Sequence, residues 1–279
     1  MGLNGKFSKD ALGTRLKTYY EDRFRYHLPR RTYTIIRIDG KAFHTYTKGL
    51  NRPFDDGLIE DMDETTAYLC KNIQGVKFGY VQSDEISLLL TDFDDISTDA
   101  WFDGNLQKMC SIAASLATAK FNQLRMMRKC WEGNDVEGYL DQKDLENFKL
   151  AMFDARVFQI SSPIEVENYF IWRQQDATRN SISSVAQSMY SPKELHGVKT
   201  DEMQEMIFQK GTNWNDFSPR KKRGGFVTKM LMVNGKPKQE NQEIYIEDVV
   251  RNKWIGIDCP VFTQDREFLR SGIPVQHEN

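Results

Sequence analysis

The run Thr32-Tyr-Thr-Ile-Ile-Arg-Ile-Asp39-Gly40 ends an apolar stretch on a carboxylate followed at once by glycine. Its residues alternate with a period of two, as in a strand with a buried inner face. Glycine after the acid leaves room for a backbone carbonyl or a phosphate to come close. A second stretch, Lys77-Phe-Gly-Tyr-Val-Gln-Ser83-Asp84-Glu85-Ile-Ser-Leu-Leu-Leu90, sets a tight polar turn with two acids between two strand-like runs. If the two strands are neighbours, Asp39 and Asp84 meet at one end of a sheet. Carboxylates that close repel each other unless a cation lies between them, and hard oxygen donors suit magnesium. This is the layout of a two-metal nucleotidyl-transfer site. The same residues admit a plainer reading, with Asp39 as a strand-end turn residue and Asp84-Glu85 as an ordinary hairpin tip.

The order of elements narrows the fold. Leu12, Leu16, Tyr19, Tyr20 and Phe24 predict a helix over about 12–27, which Pro29 ends. The first strand follows, and the mixed stretch 41–55 is expected to be a loop. Asp55 is placed to cap a helix with apolar positions Leu58, Met62, Leu69 and Ile73, closed by Gly75. The hairpin 76–90 comes next, then a long helix over about 100–127 with a stripe through Met109, Ala113, Ala117 and Phe121. Residues 132–144 look like a surface insertion, and Phe153 to Ile160 read as another buried strand. Strand, helix, strand, strand, helix, strand is the ferredoxin-like βαββαβ palm, an α+β fold in which the first and third strands lie side by side.

Beyond it the chain predicts additional helices and a C-terminal β-containing extension: a helix over 163–190 with a dense polar run from Arg173 to Ser181, a short helix from Ser191, strands 226–233, 243–246 and 254–259, and a loose terminus from Arg270. The expected division is 1–160 for the palm with its N-terminal helix and 161–279 for the extension.

A chain of 279 residues with a net charge of −2 does not coat nucleic acid non-specifically, so an RNA partner requires a localised basic patch. Arg220-Lys-Lys-Arg223-Gly224-Gly225 is the strongest such run, readable as an anion site or as a charged surface face. Four scattered cysteines without a CxxC pair read as reduced thiols. With no apolar run of membrane-spanning length and no signal-peptide opening, the expected location is cytoplasmic.

Taken together, Ile38-Asp39-Gly40, Gly79-Tyr-Val-Gln82-Ser83-Asp84-Glu85-Ile86-Ser87, Phe153-Asp154-Ala155-Arg156 and Trp172-Arg173-Gln174-Gln175-Asp176 resemble the tRNA-His guanylyltransferase family, and specifically its prokaryotic Thg1-like branch of 3′–5′ RNA polymerases. The resemblance runs in one order over nearly the whole chain. It implies a polymerase palm that uses two magnesium ions to add nucleotides to the 5′ end of a tRNA. Carried over, Asp39 and Asp84 would bind both metals, Gly40 would lend its backbone carbonyl and Glu85 would assist. Lys41, Ala42, Phe43, His44, Ser83, Arg52 and Asp55 would line the nucleotide. The eukaryotic branch follows the Trp-Arg-Gln helix with His-Ile-Asn-Asn, whereas this chain has Ala177-Thr-Arg179-Asn180-Ser181. That departure implies template-dependent repair of 5′-truncated tRNA, and the resemblance as a whole implies GTP, ATP and other NTPs as substrates, 5′ activation of monophosphorylated ends, and a homotetrameric assembly. Two rivals remain on sequence: another palm nucleotidyl enzyme, such as a nucleotide cyclase or cyclic-dinucleotide synthase, and a non-catalytic tRNA-binding module.

Overall fold

A computed structural model describes residues 11–132, 146–239, 242, 243, 245 and 248–276. Its centre is a seven-stranded sheet in which every pairing is antiparallel. β1 (Tyr33–Gly40), β2 (Val76–Gln82), β3 (Glu85–Leu90), β4 (Phe153–Ile160), β5 (Gly225–Val233) and β6 (Lys236–Pro237) run in the order β4-β1-β3-β2-β5-β6, and β7 (Val250–Asp258) pairs with β5. β1 therefore lies beside β3, as the βαββαβ order predicts. The sheet continues past the palm: β5 joins β2 through Phe78 opposite Thr228 and Val81 opposite Gly225.

Helices cover both faces of the sheet, which is why its central strands are apolar almost throughout. On one face, Ile36, Ile38, Ile86 and Leu88 pack with Met62 and Leu69 of α3 (Asp56–Asn72) and with Ala113, Ala117 and Phe121 of α4 (Leu106–Glu132). Ile35, Phe78, Tyr80 and Leu89 face the other way, against Val166 and Phe170 of α5 (Pro163–Met189) and Leu269 of α8 (Arg266–Gly272). A third apolar cluster joins the far half of α5 to α6 (Thr200–Gln209) through Val185, Ala186 and Ile207.

Several local expectations change. The N-terminal helix is short, with α1 at Ala11–Leu16 followed by a π turn and a 3-10 turn ending at Phe24, and none of its residues is buried. Without burial, its apolar stripe does not sustain a long regular helix. Stretch 41–55 holds a one-turn helix, α2 (Phe43–Tyr46), because Phe43 anchors in the core. A 3-10 turn at Trp101–Gly104 delays α4. Residues after Ser191 form successive turns, and α8 orders the tail expected to be loose by burying Leu269 and Ile273. The segment 132–144 falls, after its first residue, outside the described residues, as do Ile244 and Ile246 of the strand predicted at 243–246; Glu243 and Tyr245 are in no strand. Among the described residues, no helix is long and apolar enough to cross a membrane.

Candidate active site

β1 delivers Asp39 to the end of the sheet, directly opposite Glu85 on β3 and Asp154 on β4. The β2–β3 turn closes through Ser83 in the left-handed region (φ 46°). Gly40 N–H donates to the Asp84 carbonyl at 3.1 Å, stitching the strand end to the turn. Thus the fold brings together the two acids that the sequence sets 45 positions apart. Burial pushes the Asp84 carboxyl up to about 6, and the nearby charge of Asp39 pushes in the same direction. Burial also raises Glu85, while Arg173 holds it back. Arg173 Nε donates to Glu85 Oε1 at 2.8 Å, so the Glu85 charge is already matched within the protein.

A cleft of roughly 730 Å³ opens from this end of the sheet, a size suited to a nucleotide-sized ligand. Of the residues named from sequence, Asp39, Gly40, Ala42, Phe43, His44, Arg52, Asp55, Ser83, Asp84 and Glu85 line it, and Lys41 does not. Several have evident structural work. Phe43 is buried against Tyr46, Phe121 and Phe153. Ala42 takes the left-handed turn (φ 54°) that starts α2. Asp55 caps α3, accepting from Leu58 N–H at 2.8 Å and from Asn51 N–H at 3.2 Å.

The sequence named no site residue on two walls of the cleft, although its α5 polar run from Arg173 to Ser181 reads as either a solvent-exposed face or a contact with substrate backbone. One is apolar, from Phe54, Leu58 and Ile59; the other comes from α5, with Asp176, Ala177, Asn180, Ser181, Ser184 and Gln187. These α5 positions recur at three or four residues, so the polar run held a helical stripe that could have been found by its period. The Arg220–Arg223 run is also less free than expected. It forms α7 (Pro219–Arg223). Arg220 is held by both oxygens of Asp63 and Lys221 by Asp56 at 2.6 Å, although both cations line the cleft.

The donor set at the strand end suits a hard cation. Asp39 and Asp84 supply anionic oxygens, Gly40 a carbonyl, and the partly buried Asp84 carboxylate lacks the solvation that would otherwise stabilise its charge. Among the described residues, no group of three or more His, Cys, Asp or Glu is placed to hold a metal ion by itself. Magnesium does not require one, since it retains waters and takes one or two carboxylates together with substrate phosphates.

Comparison with known proteins shows the family and the fold. Residues 13–161 match the family described as Thg1, tRNAHis guanylyltransferase. Two solved structures of a bacterial tRNA(His) guanylyltransferase (Thg1)-like protein, one in complex with ATP and one with GTP, superpose with TM-scores of 0.76 and 0.74; each is 39% identical over 95% of this chain and 100% of that one. An uncharacterised protein of Acanthamoeba polyphaga mimivirus is 27% identical over 237 residues, covering 80% of this chain and 78% of its own.

Proposed function

The chain belongs to the tRNA-His guanylyltransferase family of nucleotidyltransferases, and we propose that it adds nucleotides in the 3′–5′ direction to the 5′ end of truncated tRNA, with the opposite strand as template. The observation that carries this reading is the meeting of Asp39 with the Asp84 turn at the mouth of a nucleotide-sized cleft. The incoming NTP occupies the cleft, and its 3′-hydroxyl attacks the α-phosphorus of the RNA 5′ end, with pyrophosphate leaving where that end is a triphosphate and AMP or GMP leaving where it has been activated with ATP or GTP. A monophosphorylated end is first activated with ATP or GTP. Base choice comes from pairing with the opposite strand, which asks the protein to read shape.

Asp39, Asp84 and the Gly40 carbonyl are the groups that would hold two magnesium ions. Bound there, the metal supplies charge that eases loss of the hydroxyl proton and offsets the phosphates. The protein's own part is to fix those oxygens with the strand-end and turn hydrogen bonds, and to present Arg52 and Lys221 to phosphate from the cleft wall. We further infer a homotetramer in the cytoplasm, a compartment that suits four free thiols.

The test is extension of a 5′-triphosphorylated tRNA lacking its first nucleotide, with magnesium and one labelled NTP at a time. Template-matched addition that disappears in Asp39→Ala and Asp84→Ala supports the reading. Folded wild type that adds nothing overturns it.

A further inference from the structure

Trp172 is outside the cleft, one helical turn before Asp176, which is inside it. It is 47% exposed, yet it is not free to roam. The Arg173 guanidinium sits 4.2 Å from the indole centroid, and Tyr169 meets the ring edge-on at 6.0 Å. Arg173 is itself 5% exposed and doubly fastened, donating to Glu85 at 2.8 Å and to Asp176 at 2.6 Å. Asp176 also accepts from Arg179 at 2.9 Å. The indole is therefore backed by one cation, held in place, exposed on its remaining surface, and two contacts away from the carboxylate beside Asp84.

We propose that Trp172 is the platform on which the terminal base pair of the RNA substrate stacks, and that Arg173 ties this platform to the catalytic turn. The inference rests on the reading of the chain as a 5′-end polymerase. That reaction joins two reactants, and the NTP is accommodated by a cleft that excludes Trp172. An exposed, fixed aromatic at the cleft's margin is then available to the other reactant. The flat face of a last base pair is the broad apolar surface an RNA duplex end presents. Stacking on it is tolerant of sequence, as an enzyme that takes its instructions from a template requires. The surroundings favour RNA over a second copy of the chain. The ring lies against the Arg173 guanidinium, which is bound in turn to Asp176 and through it to Arg179, and β4 carries the exposed Asp154 and Arg156 on the face where Phe158 packs against Tyr169, a charged setting unlike the continuous apolar patch of a protein contact.

Steady-state extension of a triphosphorylated duplex lacking one 5′ nucleotide tests this, with Trp172→Ala, Trp172→Phe and Arg173→Gln beside wild type. Trp172→Ala should raise the KM for RNA about ten-fold or more with the NTP KM within about two-fold, and Trp172→Phe should recover most of the loss. Arg173→Gln should lower kcat, because the turn loses its tether. Fluorescence anisotropy with a blunt RNA duplex and with one ending in an unpaired 5′ overhang gives a readout independent of turnover. Wild type should prefer the blunt end, and Trp172→Ala should lose that preference. An unchanged RNA KM and an unchanged preference in Trp172→Ala overturn the proposal. So does a change in particle mass by light scattering with no change in RNA binding, which would assign the ring to a contact between copies. If wild type extends no RNA, the 5′-end reading fails by itself, and anisotropy still decides whether Trp172 meets an RNA end.

Discussion

Glu85 stands directly opposite Asp39 in the β1–β3 ladder, yet its carboxylate is paired with Arg173, 2.8 Å away on the helix above. With Asp154 opposite Asp39 on β4, four acids converge at the strand end; among the described residues Glu85 is paired with Arg173 and Asp154 lies 3.7 Å from Arg156, whereas Asp39 and Asp84 have no ion-pair partner. Their roles should separate on mutation. Asp39→Ala and Asp84→Ala should each reduce nucleotide addition by about a thousand-fold or more, a scale typical of removing a group that stabilises transition-state charge. Glu85→Gln should cost about ten- to a hundred-fold, since it loosens a tether without removing a charge from the reacting centre. Single-turnover rates with circular dichroism as a folding control make the comparison.

The Asp84 carboxyl also carries a cost that metal-free protein should reveal. Its value in the folded state, about 6, lies above its ordinary 3.8, with burial as the main cause. The folded state therefore binds this proton more tightly than the unfolded one. The associated stability is fully present below about pH 4 and is lost as the pH rises through 6. In EDTA at pH 7.5, Asp84→Asn should be more stable than wild type by up to about 3 kcal/mol, and the difference should shrink as the pH falls from 6 towards 4. Urea denaturation across that range measures it; an Asp84→Asn variant no more stable than wild type at pH 7.5 would contradict the burial argument.

The catalytic end of the sheet was legible in sequence because it depends on local signals. A period of two, an acid at a strand end and a polar turn between apolar runs identify β1, β2 and β3, and the element order alone places β1 beside β3. Less legible were features set by long-range pairing. Nothing near Arg220 shows that Asp63, 157 positions away, will take up its charge. Likewise, the polar run of α5 gives no local sign that Arg173 turns inward to Glu85 while Trp172 stays exposed. The N-terminal stripe shows the opposite limit: periodicity reports what could be buried, and among the described residues nothing buries it.

Asp61 illustrates such a hidden pairing and yields a stability prediction. It is 2% exposed on α3 and accepts from Arg125 at 3.0 Å and from both Nε and Nη2 of Arg128 on α4. This pairing fastens the two helices beneath the sheet. Asp61→Ala leaves Arg125 largely buried without its acid, and breaking a buried pair from one side is strongly unfavourable. A loss of about 3 kcal/mol is expected. Asp61→Asn should lose less, since its amide oxygen can still accept. Chemical denaturation of the two variants distinguishes a charge pair from simple packing, which would make them equal.

Gly40 is where packing and chemistry meet most tightly. A Cβ at this position would come within 2.2 Å of the Phe43 ring. That ring cannot simply swing aside, because Tyr46, Phe121 and Phe153 surround it at centroid distances of 4.9 to 5.7 Å. Gly40→Ala should therefore overpack the core by about 1–3 kcal/mol and displace the strand end that carries Asp39, lowering kcat more than it raises the KM for NTP. The cause can be isolated by changing the obstacle instead of the glycine. Phe43→Leu in the Gly40→Ala background removes the ring edge, and it should restore part of both stability and kcat, because the Gly40 backbone carbonyl is unchanged in either variant. Stability restored with no gain in kcat would mean that Phe43 itself contacts the nucleotide, and the core role given to that ring would be incomplete.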